Sequence, residues 1–145
     1  MRDLPRKLTV EQLEELFEGR TALVERLAQI EDPLGRADSV LEKLSEEEKI
    51  EALDAHPAIG ARTLSARSAE EQGASGDPAI LSELAYLNQI YQEKFGFRFV
   101  VFVAGRPKRE ILEGLRDRIA NTREEELETG CRELVAIAKD RWTRT

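Results

Sequence analysis

Residues 78–103 read PAILSELAYLNQIYQEKFGFRFVVFV, and this stretch decides the fold class. Asp77 and Pro78 predict a helix start, because Asp is a good N-cap and Pro suits the first helical position. The apolar residues that follow recur at helical spacing and predict one inward face up to about residue 94. They are Ile80, Leu84, Leu87, Ile90 and Tyr91. Gly96 then ends the helix.

The run from Phe97 to Val103 is β-branched and aromatic. It fits either a short buried strand or an extended segment that crosses a helical core. One strand alone forms no sheet, so the extended segment is favoured. The sequence therefore predicts an all-α protein with a short extended segment near residues 97–103.

The rest of the chain carries further helix starts of the S/T-x-x-E/Q type, in which two side chains bond each other's backbone N–H groups. They are Thr9/Gln12, Ser45/Glu48, Ser68/Glu71 and Thr122/Glu125. We expect a second helix over about 21–30, ended by Asp32-Pro33, and a third over about 37–44. We expect about six to eight helices in all, forming one helical domain over residues 1–145.

Composition excludes several classes of protein. The 145 residues carry a formal net charge of −7, with one cysteine and one histidine. A single cysteine forms no internal disulfide. One cysteine and one histidine are also too few ligands for a Cys/His zinc site. The acidic balance argues against nucleic-acid binding, and no apolar run is long enough to span a membrane. The first residues lack the apolar run of a secretory signal, so we expect a cytoplasmic protein without membrane partners.

His56 is the first candidate for chemistry. It follows a predicted helix, precedes Pro57, and is the only side chain with an unperturbed pKa near neutrality. A proline-fixed backbone suits a general acid or base, whose orientation matters as much as its pKa. The alternative is a histidine that merely favours the negative end of the helix dipole.

Arg141 is the second candidate. At about 100° per residue it lies about 20° from Leu134 on the apolar stripe of the last helix, whereas Arg132 lies about 160° away. An arginine on such a stripe needs a partner or a ligand. The alternative is an arginine whose head reaches water.

Three further positions have structural and functional interpretations. Ser68 with Glu71 is favoured as a capping box. The first turn of that helix would also bind an anion, and the Glu71 carboxylate there would accept or share a proton with the bound substrate. Asn88 is favoured as part of a buried polar network. Cys131 lies on the apolar side of the last helix and is interpreted as packing. The extended segment has a possible second use, since a non-helical backbone leaves N–H and C=O groups for a ligand.

Together these residues form an ordered pattern over roughly residues 50–142. It runs His56-Pro57, Ser68-x-x-Glu71-Gln72, Leu87-Asn88-x-x-Tyr91-x-x-Lys94-Phe95-Gly96-Phe97-x-Phe99-Val100, Arg118-x-x-Asn121, Glu126-Leu127 and Ile137-Ala138-x-x-Arg141. The pattern resembles the 2-oxo-4-hydroxy-4-carboxy-5-ureidoimidazoline (OHCU) decarboxylases of urate breakdown.

The resemblance implies an all-helical homodimer without cofactor or metal that converts OHCU to (S)-allantoin. It assigns His56 and Glu71 as the acid/base pair and Arg141 as the anchor for a substrate oxygen. It also implies a group of residues that line the substrate pocket. These are Pro57, Ser68, Gln72, Phe99, Val100, Val101, Phe102 and Val103.

Two departures from the family pattern have consequences. The family usually has proline where Arg98 stands, and we expect Arg98 to loosen the pocket segment or place a charge at its rim. The N-terminal third lacks an expected Arg-Pro-Phe signature and has Glu31-Asp32-Pro33-Leu34 in its place. Two alternatives stay open: a non-catalytic binding module of the same fold, and a related lyase or hydrolase acting on another ureido acid.

Overall fold

The computed structural model describes residues 3–57 and 77–144, which form seven helices. They are α1 (Val10–Phe17), α2 (Ala22–Leu27), α3 (Pro33–Lys43), α4 (Glu46–Asp54), α5 (Pro78–Phe95), α6 (Lys108–Ile119) and α7 (Arg123–Thr143). Neither described range contains a strand, and residues 98–103 lie in neither a helix nor a turn. The predicted all-α class is confirmed, and the predicted extended segment lies outside the helices.

Three of the predicted capping boxes open helices as expected. The side chains of Thr9, Ser45 and Thr122 each accept a hydrogen bond from the N3 backbone, and the N3 side chain accepts one in return. Asp77 caps α5 by accepting from the N–H of Ala79 at 2.8 Å. The fourth box, at Ser68, lies outside the described residues.

The second and third helices have different bounds from those predicted. α2 ends at Leu27, and α3 begins at Pro33, four residues before the expected start near residue 37. Asp32 reverses the chain with a left-handed backbone (φ 51°), and Pro33 then occupies the first helical position. The prediction treated this proline as the end of a helix, whereas a fixed φ also suits a helix start.

α7 is the central helix and packs against α1, α3, α4 and α5. The extended segment lies beside an aromatic cluster whose ring centroids are 4.6–6.0 Å apart. The cluster consists of Tyr91, Phe95, Phe97 and Phe99, all buried. α7 contacts both α1 and α4, which brings these three helices into one region of the core. Among the described helices, none is long and apolar enough to cross a bilayer.

Candidate functional site

His56 lies in the turn that ends α4. Its backbone N–H donates to the carbonyl of Leu53 at 3.2 Å, and Pro57 restricts the backbone that follows. Only 4% of the residue is exposed. The imidazole Nε2 has no hydrogen-bond partner in the part of the chain that the structure describes. A buried nitrogen of this kind is available to a ligand, since buried polar atoms are otherwise almost always bonded.

The surroundings of His56 favour its neutral form. Burial and, to a smaller extent, the charge of Arg141 lower the pKa of the imidazole from 6.5 to about 4, against the opposing charge of Glu18. The side chain is therefore uncharged near neutral pH. A neutral imidazole can accept a proton at one nitrogen and donate from the other.

Arg141 lies deep in the protein with 2% of its surface exposed. Its guanidinium Nη1 is 3.0 Å from the Glu18 carboxylate and donates to the carbonyl of Leu16 at 3.2 Å. Both partners belong to the end of α1, against which α7 packs. The alternative in which the head of Arg141 reaches water is therefore wrong, because α1 covers this end of α7. Arg132, predicted on the solvent side, is exposed.

Arg98 joins the extended segment to the end of α4. Its backbone N–H donates to Asp54 Oδ1 at 3.0 Å. Its Nη1 donates to the carbonyl of Asp54 at 2.8 Å and to that of His56 at 2.7 Å. The expectation that Arg98 loosens the segment is therefore wrong: the side chain ties the segment to the residue before Pro57.

A second buried polar cluster surrounds Glu126, which is fully buried at 0% exposure. Its Oε1 accepts from the Tyr91 hydroxyl and from Arg118 Nε, each at 2.7 Å. Its Oε2 accepts from Asn121 Nδ2 at 2.8 Å. Burial and the Glu126 contact raise the pKa of the Tyr91 hydroxyl far above its usual range.

Sequence reasoning missed the role of Glu126. Glu126 is the third of three consecutive glutamates in the first turn of α7, where the helix dipole favours negative charge, and this position alone does not indicate burial. The available signal was the spacing Arg118-x-x-Asn121 together with Tyr91, which supplies three donors for one acid. The cluster links α5, α6 and α7 and reaches the extended segment, since Arg118 Nη1 also donates to the carbonyl of Val100 at 2.7 Å.

The extended segment uses part of its own backbone hydrogen-bonding capacity. The carbonyls of Phe102 and Val103 accept from the Arg106 side chain, and the Phe102 N–H donates to Glu133 Oε1 at 3.3 Å. The expectation of a free backbone is thus too simple, because arginines from flanking positions supply donors. The carbonyl of Val103 uses both lone pairs, because it accepts from the backbone N–H and from Nε of Arg106, each at 3.0 Å. Phe99, Val100 and Val103 are buried, whereas Val101 and Phe102 are partly buried.

The remaining predicted positions divide by where they lie. Pro57 is partly buried, and Asn88 is buried on the inner face of α5, while the polar network predicted around Asn88 stays a prediction. Cys131 is buried, and burial raises the pKa of its thiol to about 11, in keeping with a packing role. Ser68, Glu71 and Gln72 lie outside the described residues. Within residues 3–57 and 77–144, no cluster of three His, Cys, Asp or Glu side chains could hold a metal ion.

The described part of the site therefore combines the neutral, buried imidazole of His56 with the buried guanidinium of Arg141, whose charge lowers the pKa of that imidazole. Such a pair can orient a small anion, exclude water from it and exchange a proton with it.

A family model described as OHCU decarboxylase matches residues 2–143. The chain belongs to the OHCU decarboxylase family. The match includes the N-terminal third, where the Arg-Pro-Phe signature is missing.

Named relatives agree with this assignment. The chain is 33% identical over 105 residues to the 2-oxo-4-hydroxy-4-carboxy-5-ureidoimidazoline decarboxylase of Halalkalicoccus jeotgali, covering 69% of this chain and 60% of that protein. It is 34% identical over 105 residues to the uric acid degradation bifunctional protein TTL of Arabidopsis thaliana, covering 66% of this chain and 32% of that protein. The chain thus spans less than two-thirds of the length of both relatives.

Two solved structures share the fold. A crystal structure of OHCU decarboxylase in the presence of (S)-allantoin superposes with a TM-score of 0.77 at 24% identity, over 92% of this chain and 96% of that one. A crystal structure of (S)-allantoin synthase superposes with a TM-score of 0.69 at 25% identity, over 91% of this chain and 47% of that one.

Proposed function

We propose that this protein is a carboxy-lyase that converts OHCU to (S)-allantoin in urate degradation, a purine breakdown pathway, without a cofactor. One observation carries the proposal: in a member of this family, His56 is buried, and its Nε2 has no partner among the described residues. The nearby charge of Arg141 supports it, because OHCU is an anion.

The reaction fits such a site. The bond between the ring carbon and the carboxylate breaks, and carbon dioxide leaves. The electron pair passes into the adjacent C=N unit of the ring. The nitrogen of the former C=N unit takes up one proton. A second proton is then added to the carbon that bears the ureido group, while the ring hydroxyl loses its proton and becomes a carbonyl, so the reaction consumes one proton in all. The protein must desolvate the carboxylate, stabilise the charge that develops, and deliver the proton to one face only.

We assign roles to three residues on this basis. His56 contacts the hydroxyl and carboxylate region, where a neutral imidazole can take the hydroxyl proton. Arg141 binds an anionic or carbonyl oxygen of the substrate. Glu71 is the second member of the acid/base pair, and this role rests on the family resemblance alone.

The pocket lining is part of the same proposal. The backbone from Phe99 to Val103 forms one wall, and Pro57 forms another next to His56. The resemblance adds Ser68 and Gln72. The partial burial of Pro57, Val101 and Phe102 is compatible with a wall that a substrate touches.

The test generates OHCU in place from urate with uricase and hydroxyisourate hydrolase and follows its disappearance. Wild-type protein should speed the loss well beyond the unaided decay. His56→Asn and Glu71→Gln should both return the rate to the unaided one, with the helical circular dichroism spectrum unchanged. Glu113→Gln, an exposed carboxylate on α6, is the matched control for Glu71→Gln and should keep full activity. A wild-type protein that leaves the rate unaltered contradicts the proposal. Turnover of another ureido acid that needs His56 would favour a related lyase or hydrolase instead.

We also propose a homodimer and a cytoplasmic location. The dimer is supported by the family resemblance, and the location by the acidic composition and the single cysteine. Light scattering on a sizing column tests the first, with a mass near 33 kDa expected from twice the 16.4 kDa chain. Fractionation of the source cells tests the second.

A further inference from the structure

Arg98 occupies an unusual place relative to His56. The carbonyls at a helix C-terminus have no partners within the helix, and a cation placed there satisfies them and favours the negative end of the dipole. α4 ends at Asp54, and Nη1 of Arg98 bonds the carbonyls of Asp54 and His56 at 2.8 and 2.7 Å. A single nitrogen therefore joins two carbonyls, one on each side of Ala55.

These bonds leave the backbone of His56 little freedom. Its N–H is held by the carbonyl of Leu53, its C=O by Arg98, and its ψ is restricted by the following proline. Because the backbone sets the direction of the Cα–Cβ bond, it also sets where the imidazole can point. Arg98 is itself anchored, since its backbone N–H bonds Asp54 Oδ1 and the neighbouring Phe97 and Phe99 are buried.

We propose that Arg98 is a positioning residue for His56: its guanidinium hydrogen-bonds the carbonyls at the end of α4 and thereby fixes the imidazole in the orientation that the reaction requires. This inference rests on the proposed decarboxylase function. It assigns Arg98 no contact with the substrate. The family pattern has proline at position 98, and proline would restrict the backbone by fixing φ. In this chain, the hydrogen bonds of the Arg98 side chain restrict the backbone instead.

Arg98→Met tests the proposal, because methionine keeps the stem and the backbone N–H but removes every guanidinium donor. The value of kcat should fall about tenfold to a hundredfold, as expected for a reacting group misplaced by about 1 Å. KM should change little, because the substrate contacts remain. Arg98→Lys keeps a cation with three donors and should recover a clear part of the lost kcat.

A spectroscopic measurement separates positioning from general damage to the fold. His56 is the only histidine, so a protein labelled with ¹⁵N in its imidazole gives signals from that residue alone. These signals should shift or broaden in Arg98→Met and return towards their original positions in Arg98→Lys. Arg123→Met is the matched control, since it removes arginine bonds to the carbonyl of Phe95 at the end of α5 and to Glu46 at the start of α4, away from the end of α4 that precedes His56.

Each outcome decides the proposal. Shifted His56 signals with a lower kcat, absent in the Arg123→Met control, support it. Unchanged signals overturn it, whether kcat stays the same or falls, since a fall would then mark Arg98 as a substrate contact. If the wild type does not turn over OHCU, the proposed function fails, and the His56 signals alone decide the positioning role. If Arg98→Met does not fold, Arg98→Gln and Arg98→Lys provide the same comparison.

Discussion

The guanidinium of Arg141 lies 3.0 Å from the carboxylate of Glu18, and only 2% and 13% of the two side chains are exposed. This pair joins the C-terminal half of α7 to the end of α1 beside His56. Removing one partner of a buried pair leaves the other charge uncompensated, which costs about 3–5 kcal/mol. We therefore expect Arg141→Met to lower the free energy of unfolding by about that amount and to abolish turnover of OHCU.

Urea unfolding and the OHCU assay measure these two effects. Arg132→Met is the control, because Arg132 lies on the same helix with 63% of its side chain exposed. It should leave both the stability and the rate nearly unchanged. An Arg141→Met protein as stable as the wild type would show that the pair with Glu18 contributes nothing.

The buried state of His56 predicts a dependence of stability on pH. The pKa of its imidazole is lowered from 6.5 to about 4, so the unfolded chain binds a proton more readily than the folded protein does. The contribution of the neutral His56 to the free energy of unfolding is fully present above about pH 6.5 and is lost as the pH falls towards 4. The difference in pKa corresponds to about 3 kcal/mol.

Titration of the single imidazole by NMR measures this pKa directly. Urea unfolding at pH 7 and pH 4.5 measures its effect on stability, and His56→Asn removes the contribution of this residue from that of the carboxylates. A midpoint near 6.5 in the folded protein would contradict the buried, neutral histidine.

The hydrogen bond from Tyr91 to Glu126 predicts a purely structural effect. Tyr91→Phe removes a donor to a fully buried carboxylate, and bonds to charged groups contribute about 1.5–3 kcal/mol. We expect stability to fall by about that amount, with kcat close to the wild-type value. Tyr86→Phe is the control, since Tyr86 is 64% exposed and should tolerate the change. Equal stabilities of the two variants would count against this network.

Two helical glycines should respond differently to alanine. A Cβ on Gly114 in α6 meets nothing within 4 Å, so Gly114→Ala should raise stability by about 0.5–1 kcal/mol. A Cβ on Gly130 in α7 would lie 3.1 Å from Cδ2 of Leu53 in α4, so Gly130→Ala should gain less or lose stability. Thermal unfolding of the two variants ranks them. The reverse order would show that α4 and α7 do not approach so closely.

The sequence predicted the local features well because their causes are local. Capping boxes at Thr9, Ser45 and Thr122 depend on residues three apart, and the helical period placed Arg141 on the buried face of α7. The boundary at Pro33 was wrong because one proline suits both the end and the start of a helix.

Contacts between distant segments were beyond the sequence. Nothing near Arg141 indicated Glu18 as its partner, and nothing near Arg98 indicated the end of α4, since these pairs form only when helices pack. Glu126 looked like its exposed neighbours because burial of one acid among three depends on which donors surround it. The family resemblance supplied the roles of His56 and Glu71, and these roles stay predictions.

The most direct test of the decarboxylase proposal is the handedness of the product. OHCU also decays unaided to racemic allantoin, which has no circular dichroism, so only a protein that delivers the proton to one face produces a signal. With OHCU formed in place, wild-type protein should give a rapidly growing (S)-allantoin signal that is absent with His56→Asn. An optically silent product formed at the unaided rate with the wild type would contradict the proposal.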